Sequence, residues 1–410
     1  MVEVFDLNIR HLYAAVVVVR LRSIGRAAEA IHLTQPALTH AVGKLEKQLN
    51  HKIFERLSNG VVPTPEGRMF LDHVEDGVTR LGGAAQILRQ TSRLKALVAP
   101  ERQFTTIQLR AFLAVLRTGG YTAAARELGL SQPSIYRAVR ELQNFLGIPL
   151  FAPVGPVLRA SEAVQKFATS VRLALADIQS GLDELSAIHE PGTGRVSIGS
   201  LPLARSALLP DLLSRFSAAF PFVRISVVEG QYAELVAALR EGAIDAMFGA
   251  LRADFDLPDL KQRVLFEDPL FVVGRRAHPA LKGPHNAGAL VRYPWIVPMR
   301  AAPARGIWER FFDNDGSALP ARMIECASVL LARGLMLEGE WLGMMSRHQF
   351  KLEEAHGLLT RIGPPVPGSA RPIGMTMRRG WRPTMVQAAF LAMTLEREDV
   401  RSSGGDKRLF

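Results

Sequence analysis

The sequence predicts a multidomain fold: two all-α winged helix-turn-helix domains, each followed by a long linker helix, and then an α/β domain. Three observations predict it. A stretch near the start, Leu12 to Phe54, is repeated without a gap as Leu109 to Phe151, at an offset of 97 positions. Each copy runs into a capped stretch whose apolar residues recur at near-heptad spacing. From Gly194 onward, short apolar runs alternate with amphipathic stretches, the pattern of an α/β sheet protein. The expected divisions are a first winged domain over 1–67, a linker over 68–103, a second winged domain over 104–162, a linker over 163–190, an α/β domain over 191–396 and a flexible tail over 397–410.

In the two copies Leu12, Ala27, Ala28, Leu33, Gln35, Pro36, Ala41, Val42, Leu45, Leu49 and Phe54 face identical residues in Leu109, Ala124, Ala125, Leu130, Gln132, Pro133, Ala138, Val139, Leu142, Leu146 and Phe151. Tyr121 to Leu128 reads as a short helix whose paired alanines allow close approach, and Gly129-Leu130 as a turn. Ser131 is a suitable N-cap for the next helix, and Pro133 falls in its first turn, where no intrahelical N–H is needed. Ile135, Val139, Leu142 and Leu146 then recur at helical spacing, leaving Tyr136, Arg137, Arg140, Glu141 and Asn144 outside. In the first copy the corresponding helix starts at Thr34 or Gln35, with Leu38, Val42, Leu45 and Leu49 inside and Thr39, His40, Gly43, Lys44 and Lys47 outside. Two short helices, a tight turn and a polar second helix make a helix-turn-helix, whose second helix can enter a DNA major groove. An ordinary helical hairpin would share the pattern of one copy; the duplication weighs against it. Because Glu141 and Asn144 stand where the first copy has Lys44 and Lys47, the two faces should not read the same bases.

After Phe54, Asn59-Gly60 between short apolar runs signals a two-residue hairpin, the wing, with Arg56 at its root. The second wing has Pro153 at the position of the arginine and Gly155-Pro156 at its tip, and Arg159 is left to replace Arg56 from the other side. Thr64-Pro65-Glu66 caps a helix expected to reach about Leu97, with Phe70, Val74, Val78, Leu81, Ala85 and Leu88 as its seam; Gly77, Gly82 and Gly83 weaken it, so it also reads as a helix packed only within its own chain. Ser161-Glu162 opens the second linker, with Val164, Phe167, Val171, Leu175, Ile178, Leu182 and Leu185 as its seam, ending before Pro191-Gly192.

Both copies resemble the winged helix-turn-helix of LysR-type transcriptional regulators in the small-residue pair, the Ser/Thr-Gln-Pro helix start and the Ile53-Phe54 or Leu150-Phe151 that follows. Arg56 fits that pattern as a phosphate contact. The order Gly-Arg-Val-Ser-Ile-Gly, Leu-Leu-Pro-Asp-Leu-Leu, Phe-Pro-Phe-Val, Glu-Gly and Gly-Ala-Ile-Asp-Ala resembles the effector-binding domain of the same family. That resemblance implies two α/β lobes, like a periplasmic binding protein. Strands are expected at 196–199, 223–229, 244–251, 271–274, 295–297, 322–325, 342–346 and 373–377, and helices at 204–219, 232–241 and 384–396. The resemblance also implies that at least one linker helix pairs subunits into a homodimer or homotetramer. It implies double-stranded DNA and a small effector as partners and admits RNA polymerase as another. Leu-Pro-Leu-Ala-Arg-Ser, Tyr-Pro-Trp-Ile-Val-Pro and Met-Ser-Arg-His-Gln are similar to the subgroup that includes galactose-binding-protein regulators, which implies a sugar-like inducer.

Small ligands bind open α/β sheets beyond the carboxyl ends of strands. The loops there hold Ser200 and Leu201, then Arg252, then Met299 and Arg300, and then Arg347, with Ser328 at a helix start. Ser200 supplies a hydroxyl beside a helix N-terminus, and Arg252, Arg300 and Arg347 suit a carboxylate, although each alone also reads as a solvated loop cation and Ser328 as a simple cap.

At 410 residues, with a 48% hydrophobic composition, the chain is long enough for several cores, and its net charge of +11 permits a polyanionic partner. Cys326 is the only cysteine, which excludes an internal disulfide and fits a reducing cytoplasm. The early apolar run Leu12 to Val19 is too short for a membrane span or a secretory signal, so a cytoplasmic protein is expected. The chain contains no Gly-x-Ser-x-Gly elbow, Walker loop, His-Glu-x-x-His or cysteine pair, and His278, His285, His348 and His356 lack metal-ligand spacing. Neither enzymatic activity nor a cofactor or metal is expected. The competing readings are a transporter's solute-binding protein, or a cytoplasmic small-molecule binder or enzyme with structural helical repeats.

Overall fold

The computed structural model describes residues 2–57, 60–190, 192–202, 204, 208–252, 254–300 and 302–402. Asn59 at the first wing tip, Pro191, three of the residues in Leu-Pro-Leu-Ala-Arg-Ser and residues 403–410 of the expected tail lie outside them.

The first copy consists of α1 (Ile9–Leu21), α2 (Ile24–Ala30), α3 (Gln35–Leu49), β1 (Phe54–Leu57) and β2 (Gly60–Pro63), followed by the linker α4 (Pro65–Thr91). The second consists of α5 (Thr106–Thr118), α6 (Tyr121–Leu128), α7 (Gln132–Leu146), β3 (Ala152–Val154) and β4 (Val157–Arg159), followed by α8 (Glu162–His189). Thr34 and Ser131 cap α3 and α7 through their side-chain oxygens, with a proline in each first turn, as the sequence predicts. The linker α4 stops at Thr91 rather than near Leu97. Arg93 turns to φ 57° and the Leu94 N–H closes back on the Arg89 carbonyl, a left-handed end that lets the chain cross to the second copy.

Every residue of both linker seams is buried, and what buries them is each other. The helices α4 and α8 pack along their lengths within one chain, and one continuous core runs from Val4 through α4 and the second winged domain to Leu185. Each seam is therefore covered within one chain, on the surface that the family resemblance assigns to subunit pairing. The glycines have a packing role. A Cβ on Gly77 would lie 2.6 Å from the Ala174 carbonyl oxygen and 2.8 Å from Ile178, and one on Gly181 would lie 3.0 Å from the Phe70 carbonyl oxygen, so these positions set how closely the helices approach.

The α/β part begins at β5 (Gly194–Ser200). The first lobe continues with α9 (Leu209–Ala219), β6 (Val223–Glu229), α10 (Tyr232–Arg240), β7 (Ala246–Ala250) and β8 (Leu260–Asp268). The second lobe holds β9 (Leu270–Arg275), α11 (Ala287–Leu290), β10 (Trp295–Val297), α12 (Pro303–Asp313), β11 (Met323–Glu325), α13 (Val329–Glu338), β12 (Leu342–Ser346), α14 (Lys351–Ala355) and β13 (Leu359–Arg361). The chain then returns as β14 (Arg371–Arg378) and α15 (Met385–Ser402). Their sheets run β6-β5-β7-β14-β8 and β11-β10-β12-β9-β13. Neither β8 nor β13 is predicted from the sequence. The helix α15 continues past the expected end at Glu396, since no glycine or proline interrupts residues 385–403. Among the described residues, no helix is long and apolar enough to cross a membrane.

The first lobe sits on the paired linkers. Arg195 pairs with Asp183 at 2.9 Å, Arg172 with Glu241 at 2.8 Å, and the Met385 N–H donates to Glu184 Oε1 at 2.7 Å. Arg382 reaches α4 itself, 3.1 Å from Asp76 and 3.6 Å from Asp72. Beside that contact, burial, with a smaller push from the Arg382 charge, lowers His73 from 6.5 to about 4.

Two predictions follow from this packing. In an isolated helix Gly→Ala stabilises by up to about 1 kcal/mol. Gly83→Ala, with nothing within 4 Å of its new methyl group, should raise the thermal midpoint, whereas Gly77→Ala should lower it. The second concerns pH. His73 binds its proton near 6.5 when unfolded but only near about 4 when folded. Its stabilising contribution is thus intact above 6.5 and declines towards 4, by up to about 3 kcal/mol. In thermal scans over that window, His73→Gln should show a shallower loss of midpoint than the parent; equal slopes would contradict it.

Candidate functional site

Burial of the inner faces leaves one exposed face on each second helix of the two helix-turn-helices. On α3, Gln35, Pro36, His40, Lys44 and Lys47 are exposed and Thr39 is half-buried, its hydroxyl turned back to the Gln35 carbonyl. On α7, Gln132, Pro133, Tyr136, Arg137 and Arg140 are exposed, with the cap Ser131 at the entry. Tyr136 leans edge-on against Tyr121 with ring centroids 5.3 Å apart, which fixes its ring at the start of the face. The Lys44-to-Glu141 difference has a local partner. Gln108 Nε2 donates to Glu141 at 3.3 Å, whereas His11, its counterpart in the first copy, lies close to Lys44 and His40. Burial first, and then those two charges, hold His11 below its ordinary value.

Both wings form. Arg56 is exposed on β1 opposite Val61, and Arg159 is exposed on β4 opposite Ala152. Gly155 takes φ 60° at the tip of the second hairpin, the conformation its turn requires. Each wing is tied down at two points. The Val61 N–H donates to the Arg22 carbonyl, and the Leu158 N–H to the Gly119 carbonyl one repeat later. The buried Glu46 accepts from the N–H groups of Ile53 and Phe54 and pairs with Lys52, while Gln143 accepts from Leu150 at the same place in the second copy. Sequence reasoning missed this anchor. A charged residue amid the buried positions of α3, with an amide at its repeat position, was the available signal.

In the α/β part, strand registers decide where the loops gather. Ser200 ends β5 opposite Phe248 of β7, and the Leu201 N–H donates to the Phe248 carbonyl. The end of β7 lies beside the start of β14, with Ala250 opposite Ile373, and Arg371 lies opposite Asp268, where the chain leaves the lobe. In the second lobe Ser346 ends β12 opposite Leu270, the first residue of β9 after the crossing. Strands β10 and β11 run parallel to β12, so Met299, Arg300 and Ser328 follow strands ending on the same edge. Both lobes therefore turn the carboxyl ends of their parallel strands towards the two chain crossings, where a ligand cleft belongs.

At these strand ends the predicted residues differ in availability. Ser200 is fully buried. Arg252 is stacked over the Tyr232 ring, 4.4 Å from its centroid. Met299 and Arg300 are exposed, and the Arg300 N–H is held by Glu325 at 2.9 Å. Ser328 caps α13 by accepting from the Leu331 N–H, and its N–H donates to Cys326 Sγ. Arg347 pairs with Glu354 at 2.9 Å, and Glu354 also holds Arg361. Ser346, not singled out from the sequence, is fully buried and closes β12 in a capping box with Gln349, and its hydroxyl has no other hydrogen-bond partner among the described residues. A serine closing an apolar strand carries no sequence signal for this. A cavity of about 710 Å³ lies elsewhere, between the linkers and the first lobe. Its charges are committed, Arg80 to Asp177, Arg240 to Asp259, and Arg378 to the Leu239 and Ile244 carbonyls. Among the described residues no cluster of side chains could hold a metal ion.

Two helix-turn-helix units joined to a two-lobed α/β domain define a class, and comparison with known proteins agrees. The profile of the lysR-family bacterial regulatory helix-turn-helix protein matches residues 9–68 and 107–164, and that of the LysR substrate binding domain matches 189–399. The chain belongs to the LysR family of DNA-binding transcriptional regulators and carries its effector-binding domain. It is 31% identical over 398 residues to the HTH-type transcriptional regulator GalR of Pseudomonas putida, covering 96% of this chain and 98% of that one. With PcaQ of Agrobacterium fabrum it shares 26% identity, covering 73% of this chain and 94% of that one. Among solved structures, CbnR, a LysR family transcriptional regulator, matches with a TM-score of 0.52 at 21% identity, over 71% of this chain and 98% of that one. Full-length CbnR complexed with its target DNA matches with a TM-score of 0.51 at 20% identity, over 71% of this chain and 98% of that one. PcaQ and CbnR thus leave over a quarter of this chain unmatched, whereas GalR aligns with nearly all of it.

Proposed function

We propose that both recognition helices read DNA and that the interlobe cleft binds an oxygen-rich small effector, sugar-like or carboxylate-bearing. The observation that carries the DNA assignment is the exposed polar face on α3 and α7, left over when every leucine, isoleucine and valine of those helices is buried. Gln35, Thr39, His40, Lys44 and Lys47 on one face, and Gln132, Tyr136, Arg137 and Arg140 on the other, face the base edges. Pro36, Ser131 and Pro133 shape the helix starts that meet the backbone. Arg56 and Arg159 take phosphate from the wings, positioning each domain without reading sequence. The crystal structure of CbnR with its target DNA supports the same use of this fold.

For the effector, Ser200 and Ser346 offer buried hydroxyls from opposite lobes, and beyond its capping box with Gln349 the Ser346 hydroxyl has no partner among the described residues. Leu201 and Met299 supply apolar walls, Ser328 lies at the rim, and Arg252 and Arg300 are the cations best placed for a carboxylate. Arg347 contributes only by exchanging Glu354 for the ligand. Ligand alters transcription by binding one arrangement of the lobes better than another.

Arg56→Ala should weaken binding on every DNA sequence and reduce the salt dependence by about one unit of slope, whereas Arg137→Ala should change sequence preference more than slope. Titrations at several salt concentrations separate the two. Calorimetry against a panel of sugars and small carboxylates should find reduced affinity in Ser200→Ala, Ser346→Ala or an arginine variant at 252, 300 or 347. Unchanged affinity in all five would remove the cleft assignment.

A further inference from the structure

The repeat has a geometric consequence beyond two copies of one motif. Elements of the second copy begin 97 positions after those of the first: α5 after α1, α7 after α3 and α8 after α4. The contact between the linkers joins positions related by that same offset. Gly77 lies against Ala174, its own counterpart, and Arg80 pairs at 2.9 Å with its counterpart, Asp177. Contacts between equivalent positions are the signature of a two-fold axis, here running between the helices of one chain.

A second, independent set of contacts obeys the same axis. The short 3₁₀ turn Val4–Asp6, which precedes the first copy, docks on α5 and α8 of the second, with Arg110 over Phe5 and Val4 N–H on Gln179. The turn Pro100–Arg102, which precedes the second copy, docks on α1 and α4 of the first, with Arg102 reaching the Ile31 carbonyl. Each copy thus holds the leading turn of the other, as subunits of a symmetric dimer do.

We propose that one chain is the complete DNA-reading pair and that its operator is built of two unlike half-sites. The proposal rests on the DNA-binding function above. A two-fold turns the exposed faces of α3 and α7 to the same side along its axis, so both can engage one duplex. The faces, however, are not alike. At equivalent exposed positions His40 faces Arg137, Gly43 faces Arg140, Lys44 faces Glu141 and Lys47 faces Asn144. Arg137 and Arg140 suit guanine edges, and Glu141 suits a cytosine amino group while opposing the phosphates that Lys44 attracts. A palindrome, which serves two identical readers, would present the wrong bases to one of these helices. Homodimers of a single-copy regulator cannot make this distinction; a covalent pair can, and it needs no association step before binding.

The test is to select duplexes from a random pool with the full-length protein. The enriched DNA should carry two different half-sites about 34 Å or a multiple of that apart, centre to centre. Replacing either half with a copy of the other should cost roughly tenfold or more in affinity. Lys44→Ala with His40→Ala should relax discrimination in one half only, and Arg137→Ala with Arg140→Ala in the other only. Enrichment of a palindrome, or both variant pairs acting on the same half, would overturn the inference while leaving DNA binding intact. Failure to enrich any sequence would instead remove the DNA-reading function on which it rests.

Discussion

The contact that the rest of the molecule depends on is the packing of the two linker helices. An amphipathic helix of this length cannot keep its apolar seam in water, and each linker supplies the other's cover. Small residues at the crossing decide the distance: Gly77 and Gly181 bring backbone close to backbone, and a half-buried Arg80–Asp177 pair fixes the register along the helices. Apolar packing alone tolerates sliding by a turn; a charge pair in a half-buried site does not, since a shifted register strands both charges. The two winged domains inherit their separation and orientation from this one interface.

The effector domain is attached to the same pair of helices from both sides. It grows directly out of α8, and it touches α4 through Arg382 on Asp72 and Asp76. A displacement of the first lobe is therefore felt by both linkers, although by different means, covalent for one and electrostatic for the other. The second lobe hangs from two crossings. At one, Asp268 and Arg371 lie opposite each other in the sheet and pair at 3.5 Å, both largely buried, and Ser369 bonds the backbone of Leu270 beside them. Burial pushes the Arg371 guanidinium below its ordinary value and Asp268 pulls it back. Separating such a pair leaves a charge stranded in the interior, so the pair holds this crossing together.

The two copies differ where solvent is the only neighbour and agree where packing sets the choice. Glu46 and Gln143 anchor the wing root in the same way, and Val61 and Leu158 make the same backbone bond. On the outer faces, by contrast, internal contacts are few: Gln108 holds Glu141, Tyr136 leans on Tyr121 and the Thr39 hydroxyl turns back to Gln35. Those faces are free to diverge, and they carry the information that a DNA partner would read.

Periodicity and caps were enough to determine both helix-turn-helices from the sequence, nearly to the residue, because a proline after a hydroxyl cap and an apolar position every three or four residues act locally. The two linker seams were legible for the same reason, as were most strands of the effector domain, whose apolar runs are short and continuous. Burial of a seam is a local property, but the identity of what covers it is not. Hence only the tertiary structure decided that α4 and α8 cover one another instead of leaving one for a second subunit. It also showed that the glycines which weaken an isolated helix are what permit the pairing. The strand β8 was illegible because its exposed and buried residues alternate irregularly, its place being set by β14 far along the chain. The cleft followed the same rule. Strand ends could be located in sequence, whereas the commitment of Arg347 to Glu354 and the burial of the Ser346 hydroxyl depend on how the fold packs these ends, and no local pattern encodes that.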